Sequence, residues 1–381
     1  MNPATVEFLR QRFTAYYRKT VLVSPASLEQ REWGFVLFHA GSSDMRMRRH
    51  VGFSGREELN EYIRNIVPQH TYYSTAYYEK PDAGTMGEKG WCGADLIFDL
   101  DADHIVRGPY DQMLARVKVE TEKLLTMLTD ELGIDSRKID LVFSGGRGYH
   151  VHVRDIAFRG WGSAERRELI DYVCGIGIDP EAMLSGKSPV TPGWPRRYRE
   201  TLKEYLEWIG AQDTEEGKKY LTSHPGIGEK TAERLLRERP ALADSLIKKP
   251  EDLIVKGRIR DEALRILLEQ QEDGEFKKRL LEKAALADEP VTTDTKRLIR
   301  MPTSLHGGSG MRVQPLEIRN LHDFDPLVDA VVFATRDVRV DQKFTFTMPM
   351  LGSTYELQKG IITVPEAVAV FLCCRGMAEI A

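Results

Sequence analysis

Two stretches of the chain decide how it folds: Leu96-Ile-Phe-Asp99-Leu-Asp101-Ala-Asp103-His104, and Asp140-Leu-Val-Phe143-Ser144-Gly-Gly-Arg147-Gly-Tyr-His150-Val-His152-Val153. The apolar run from Asp95 to Leu100 and the run Asp140 to Phe143 are short and rich in aliphatic and aromatic residues, which predicts strands. Between them, Gln112 to Leu132 has helical periodicity and is stopped by Gly133. Ser144 to Gly148 is a glycine turn leading into a further strand, Tyr149 to Val153. The unit reads strand, helix, strand, glycine turn, strand, so the fold class is α+β, with mixed sheets flanked by helices.

Outward from this centre, Glu7 to Arg18 carries Phe8, Leu9, Phe13, Tyr16 and Tyr17 at helical spacing, and Trp33 to His39 suits a buried strand. A helix over Arg56 to Ile66 follows Ser54, with Glu57 three residues later as the capping-box acid. His70 to Tyr78 is aromatic and β-branched and predicts a strand. From about Ser185 to Ala287 the sequence turns to Lys, Arg, Glu and Leu with helical spacing (Leu202, Tyr205, Leu206, Ile209; Leu264, Ile266, Leu267, Leu268), which predicts an inserted helical subdomain. Strand character returns near Val291 and dominates Ala330 to Val364, before a short helix from Pro365 to Ala378. The expected division is 1–184 and 288–381 for the two parts of one core, and 185–287 for the insert.

The 381 residues include 54 Lys plus Arg and 58 Asp plus Glu, a formal charge of -4. An overall basic surface for polyanions is excluded, so any nucleic-acid contact must be local. At 41% hydrophobic and 29% charged the chain is globular, not disordered or fibrous. Cys92, Cys174, Cys373 and Cys374 form neither a C-x-x-C zinc pair nor a disulfide framework, which points to a reducing compartment. Met1 to Arg10 has no apolar core of signal-peptide length and no apolar run of about 18 residues occurs, so a cytoplasmic protein without a membrane span is expected.

The chemistry concentrates in three clusters. On a strand, Asp99 and Asp101 project to one face with Cα atoms about 6.6 Å apart. Two carboxylates so placed repel unless a cation lies between them, and hard oxygen donors suit Mg²⁺ or Mn²⁺. The plainer reading is a solvated acidic strand end. In Ser144-Gly-Gly-Arg147-Gly-Tyr-His150, glycines allow close backbone approach to phosphate oxygens, Arg147 offers a planar fork and His150 a further donor. Against this stands an ordinary glycine hairpin, with His150 and His152 as packing residues. The third cluster runs from Asp288 through Asp294, Lys296, Arg297 and Arg300 to Ser304-Leu-His306-Gly-Gly. Asp288 or Asp294, entering an apparent strand, could complete a three-carboxylate site, and Arg300 and His306 could hold phosphates; Arg297 and Arg300 could equally be a solvated face.

Taken in this order, F-D-L-D, S-G-G-R-G-Y-H and an acid eighteen positions before the histidine of S-L-H-G, the clusters resemble the small catalytic subunit of archaeal and eukaryotic DNA primase. Met47-Arg-Arg-His50-Val-Gly-Phe53, Tyr72 to Tyr78 and Val364 to Leu372 also look like archaeal members. The resemblance implies a primase catalytic core that makes short RNA primers on single-stranded DNA from NTPs, with dNTP use possible, through Mg²⁺ or Mn²⁺. Carried over residue by residue, it makes Asp99, Asp101 and Asp288 the catalytic, metal-binding carboxylates, and leaves Asp294 structural. Ser144, Arg147, His150, Arg300 and His306 then match positions that hold the incoming nucleotide's phosphates. It also implies a large primase subunit as heterodimer partner.

Two departures stand out. Archaeal members often carry a zinc knob after the aspartate pair, but Asp103 to Tyr110 has no cysteine, so no structural zinc is expected. The family's lysine two positions after the S-L-H-G histidine is Gly308 here, and Lys296 could substitute. Arg48, Arg49 and His50, with nearby tyrosines, could contact nucleotide or template, or form an exposed basic turn. His224-Pro-Gly226-Ile-Gly228-Glu-Lys230 looks like one copy of a helix-hairpin-helix DNA-binding element, or a simple helical hairpin. Two other functions stay open on sequence: a primase-fold repair polymerase that extends existing primers, and a non-catalytic DNA-binding subunit.

Overall fold

The computed structural model describes residues 1–39, 46–105, 107–185, 192–212, 214–269 and 274–381. Two compact units emerge: Met1–Glu122 with Asp135–Ile170 and Leu286–Ala381, and Lys123–Ile134 with Asp171–Ala285. The expected boundary near residue 185 adjoins residues 186–191, which lie outside the described residues. No helix among the described residues is long and apolar enough to cross a membrane.

In chain order the first elements are α1 (Pro3–Lys19), β1 (Trp33–Val36), β2 (Met47–Val51), α2 (Arg56–Ile66), β3 (His70–Ser74), β4 (Ala76–Tyr78), β5 (Trp91–Ala94), β6 (Leu96–Asp101), α3 (Ala102–Ile105) and α4 (Tyr110–Thr126). Helix α1 starts where the Asn2 side chain accepts the Thr5 N–H at 2.7 Å, and it buries Leu9, Phe13 and Tyr17 along one face. At α2 the cap differs from expectation. Gly55 is the N-cap, and Ser54 donates its N–H and hydroxyl to Glu58 at 2.8 and 2.7 Å, so Glu58, not Glu57, is the capping acid. The aromatic run His70 to Tyr78 splits into β3 and β4 because the two halves serve different sheets. Ser74 turns the corner by donating its hydroxyl to Ala76 O at 2.6 Å, while buried Arg31 binds the carbonyls of Ser74 and Thr75.

After a π-helical turn at Met127–Glu131 come β7 (Ile139–Phe143), β8 (Gly148–Val153), α5 (Ile156–Arg159) and α6 (Ser163–Cys174). One four-stranded sheet, ordered β12-β7-β8-β6, is closed by β12 (Gln314–Leu316). Along β6 every position is buried except Asp99 and Asp101, which are half-buried. The register sets Asp99 opposite His150 and Asp101 opposite Gly148. The β6–β8 pairing is so close at its end that a Cβ on Gly148 would lie 2.2 Å from the Leu100 carbonyl oxygen.

The second unit is helical: α7 (Pro180–Ser185), α8 (Trp194–Ala211), α9 (Thr214–Thr222), α10 (Glu229–Lys248), the two-residue strands β9 (Ile254–Val255) and β10 (Arg258–Ile259), α11 (Glu262–Glu269) and α12 (Glu275–Glu282). Its core joins Tyr198, Leu202, Tyr205 and Leu206 to Leu235, Leu264 and Leu267. The glycine turn of the hairpin motif links α9 to α10, with Gly226 left-handed at φ 95° and Ile227 buried. The start of α10 is already acidic, since Lys218 pairs with Glu229 and Glu233.

The first unit resumes with α13 (Glu289–Thr293), β11 (Leu298–Arg300), β12, α14 (Pro326–Asp329), β13 (Asp337–Gln342), β14 (Phe346–Met350), β15 (Ser353–Leu357), β16 (Gly360–Pro365), α15 (Glu366–Cys374) and β17 (Ala378–Ile380). The strand expected after Asp288 is instead the helix α13. Asp288 is its N-cap and Pro290 lies in its first turn, where a missing N–H costs nothing. Strand β11 joins the second four-stranded sheet, β11-β3-β1-β2, and its register sets Arg300 against Tyr72.

The β6–β8 contact generates a test. Gly148→Ala forces a methyl group into a backbone oxygen and should destabilise the protein by at least about 1–3 kcal/mol. Gly84→Ala, which meets nothing within 4 Å, should stay within about 0.5 kcal/mol of wild type. Urea unfolding of the two variants checks both values.

Candidate active site

The end of β6 opens onto a cavity of about 450 Å³. Asp99, Asp101, Ser144, Arg147, His150, Arg300 and His306 all line it, so seven of the eight residues singled out from sequence meet there. Asp288 does not line it. It lies alongside the edge strand β6, donating its backbone N–H to Asp99 O at 2.8 Å, and its carboxylate acts on Asp99 electrostatically.

The Asp99 side chain is 20% exposed. Burial, followed by the neighbouring charges of Asp101 and Asp288, pushes its carboxyl up to about 7, against the opposing pull of Arg297 and Arg300. Among the described residues no three His, Cys, Asp or Glu side chains are grouped so as to hold a metal ion by themselves. The donor set nonetheless fits a hard divalent cation. The crowding that raises the proton affinity of Asp99 favours any positive charge placed beside it, and hard carboxylate oxygens suit such an ion.

Opposite the acids, two glycine turns interlock. Ser144 Oγ accepts the N–H groups of Gly146 and Gly148, each at 3.2 Å, which fastens the first turn and leaves the hydroxyl proton unused by these bonds. His306 sits against this turn: a Cβ on Gly145 would lie 2.7 Å from His306 Cβ, and one on Gly146 would lie 2.9 Å from His306 Nε2. Gly145 also adopts φ 76°, a conformation that favours glycine. The Ser309 hydroxyl donates to the Gly145 carbonyl and completes the clasp.

Two histidines at the His306 turn act as acceptors. His306 Nδ1 accepts the Gly308 N–H at 3.2 Å. His70 Nδ1 accepts the Gly307 N–H at 3.2 Å and lies 2.6 Å from Arg300 Nη1. Burial, then the Arg300 charge, pushes the His70 imidazole down to about 3, and the same causes hold His306 well below its ordinary value. With Nδ1 accepting, each neutral ring carries its proton on Nε2. His150, 3.6 Å from Asp99 Oδ1 through Nε2, is also pushed down to about 3, by burial and then by Arg300 and Arg297. Burial and the neighbouring arginines thus favour the uncharged form of His150 and His306, so the cavity's positive charge belongs to arginines.

Arg147 is ion-paired with Asp103. Arg300 lies 5.0 Å from the centroid of the Tyr72 ring. Four lining residues escaped the sequence reading as phosphate ligands or shelf: Tyr72, Arg297, Ser309 and Arg375. Some expected contacts are elsewhere. Arg49 pairs with buried Glu32 at 2.9 Å, His50 Nδ1 is 3.9 Å from the same carboxylate, and Arg48 lies 5.6 Å from the Tyr62 ring. Lys296 is exposed and does not line the cavity, whereas its neighbour Arg297 does. Asp294 accepts the Lys296 N–H at 2.9 Å, a local structural bond.

The raised Asp99 carboxyl has a measurable consequence. Between about pH 4 and 7 the folded protein holds a proton on Asp99 that the unfolded chain has released, so this group lowers stability as pH rises through that window. Asp99→Asn removes the effect. In EDTA, urea midpoints should show the variant gaining on wild type from pH 4 to 7 and no further change from this group above 7; a wild type that gains on the variant would contradict the assignment.

Comparison with known proteins places this geometry in a family. The family model for the DNA primase small subunit matches residues 98–318, a span from β6 to just past β12 that holds all three carboxylates and both glycine turns. The chain is 67% identical to the DNA primase small subunit PriS of Methanoregula boonei over the whole of both chains. It is 53% identical to the same protein of Methanosphaerula palustris, covering all of this chain and 99% of that one, and 51% identical to that of Methanospirillum hungatei, covering all of this chain and 98% of that one. The chain belongs to the DNA primase small-subunit family.

Proposed function

We propose that this chain carries the nucleotidyl-transfer site of a DNA primase, with Asp99, Asp101 and Asp288 holding two divalent cations, Mg²⁺ or Mn²⁺, and Ser144, Arg147, His150, Arg300 and His306 holding the triphosphate of the incoming nucleotide. The observation that carries this reading is the shared cavity: carboxylates on β6 face two glycine turns and a set of guanidinium groups across about 450 Å³. When bound, the cations would lower the pKa of an attacking 3′-hydroxyl and offset charge on the pyrophosphate leaving group.

The chain's own residues divide the remaining work. Asp99 must release its proton before it can act as a ligand, so cation and proton compete at that carboxylate. Arg300 is oriented by His70 Nδ1 and by the face of Tyr72, which fixes a guanidinium fork before substrate arrives. Ser144 and His306 offer O–H and Nε2–H donors without adding charge, while Arg147 can exchange Asp103 for phosphate oxygens. The template is single-stranded DNA and the substrates are NTPs, with dNTPs as alternatives. A large primase subunit is the partner in a heterodimer, the protein acts in the cytoplasm at the replication fork, and residues 185–287 form an insert within the core. The absence of cysteine between Asp103 and Tyr110 supports a chain without a structural zinc.

Asp99→Ala combined with Asp101→Ala should abolish divalent-dependent dinucleotide and primer synthesis on unprimed single-stranded DNA, with the circular dichroism spectrum unchanged. Full synthesis by that double variant would remove the metal-site assignment. Extension of supplied primers without de novo synthesis by the wild type, assayed with its partner, would replace the primase reading with that of an extending polymerase.

A further inference from the structure

We propose that Arg375, at the C-terminal end of α15, is a further phosphate-binding residue of the nucleotide site, reaching the cavity from the last helix of the chain. The inference deepens the primase reading and rests on it. Arg375 lines the same cavity as Asp99, Asp101, Ser144, Arg147 and His306. Its position there is built by packing. Gly310, left-handed at φ 73°, lets α15 come so close to the His306 turn that a Cβ would lie 2.5 Å from Val370 Cγ1 and 3.6 Å from Cys374 Sγ. The residue following Cys374 is thereby set beside the two glycine turns.

The guanidinium is presented on an aromatic shelf. It lies 4.7 Å from the Tyr110 ring centroid and 5.5 Å from that of Phe371, and the two rings meet edge to face at 5.3 Å. The shelf is fastened to the phosphate loop, because the Tyr110 hydroxyl donates to the Gly146 carbonyl. A guanidinium held over aromatic rings and not in an ion pair keeps N–H groups for contact with phosphate.

Charge gives the second line of argument. Arg147 is paired with Asp103, and Arg300 is bound by His70 and Tyr72. Arg375 has no carboxylate within 4.0 Å among the described residues, and it is exposed. Burial of its inner part, together with the nearby Arg147 charge, lowers its proton affinity, with Tyr110 and Asp103 pulling the other way. Two guanidinium groups facing one cavity repel each other until an anion lies between them. At Gly308 the His306 turn itself contributes no cation, and Arg375 supplies one at the same wall of the cavity.

A purely structural role would have Arg375 complementing the C-terminal dipole of α15. The two roles separate by measurement on the purified protein with its partner. Arg375→Ala should raise the KM for nucleoside triphosphate, and the Kd for inorganic tripolyphosphate with Mg²⁺ in calorimetry, by about 10–100-fold, with kcat changed by less than about threefold. Arg375→Lys should recover part of the affinity, and it keeps the test usable if the alanine variant does not fold. Unchanged KM and tripolyphosphate affinity in either folded variant, with only the thermal midpoint moved, would overturn the proposal and leave the primase site standing. Failure of the wild type itself to bind tripolyphosphate or incorporate nucleotide would instead remove the underlying reading.

Discussion

The structure depends on a like-charge conflict at the end of β6. Asp99 and Asp101 share one strand face, and the start of α13 sets Asp288 alongside β6 through the Asp288 N–H to Asp99 carbonyl bond. No arrangement of a regular β6–β8 ladder separates the two strand aspartates, because alternate residues point the same way. The fold answers with positive charge at a distance and not with ion pairs. Arg297 and Arg300 act on Asp99 electrostatically from β11 and the segment before it. The result is a cavity with an acidic wall, a basic wall and open volume between them, which a salt-bridged version of the same residues would have closed.

Holding the basic wall in place falls to a neutral histidine. His70 Nδ1 receives both Arg300 and the Gly307 N–H, so one buried ring joins β3, β11 and the His306 turn. The arrangement works only while Nδ1 keeps its lone pair, and burial beside Arg300 secures that by suppressing protonation. The clasp between the turns is equally exacting in another way. His306 occupies space that a side chain at position 145 or 146 would take, so the phosphate-loop glycines serve packing as well as backbone access.

Much of this was legible in sequence where the signal is local. An i, i+2 pair of aspartates on an apolar strand, or a glycine turn between strands, keeps its meaning whatever the rest of the chain does. The local setting of the third cluster's acid differs from the sequence expectation. Val291 and two threonines suggested a strand, whereas Pro290 after Asp288-Glu289 marks a helix start, and the helix prevailed. Arg48, Arg49 and His50 suggested either a nucleotide or template contact or an exposed basic turn; they lie on strand β2, where Arg49 pairs with buried Glu32, a partner that sequence alone does not place beside it. His70, Tyr72 and Arg375 carried no local mark. Tyr72 and Arg375 reach the cavity, and His70 braces it, through the β3–β11 register and the packing of α15 on Gly310, contacts between segments far apart in the chain.

The net charge of -4 conceals how the two walls respond to pH. Guanidinium groups stay charged throughout the physiological range, and His70, His150 and His306, which line or brace the basic wall, favour the neutral form in it. The basic wall is therefore electrically constant. The acidic wall is not, because the Asp99 carboxyl changes charge near pH 7. In a site that uses a cation, the proton on Asp99 and the cation compete for the same oxygens, and a bound cation drives the proton off. Near neutral pH the pH dependence of such a site thus has a source on β6, in the carboxylate whose crowding the sequence already displayed.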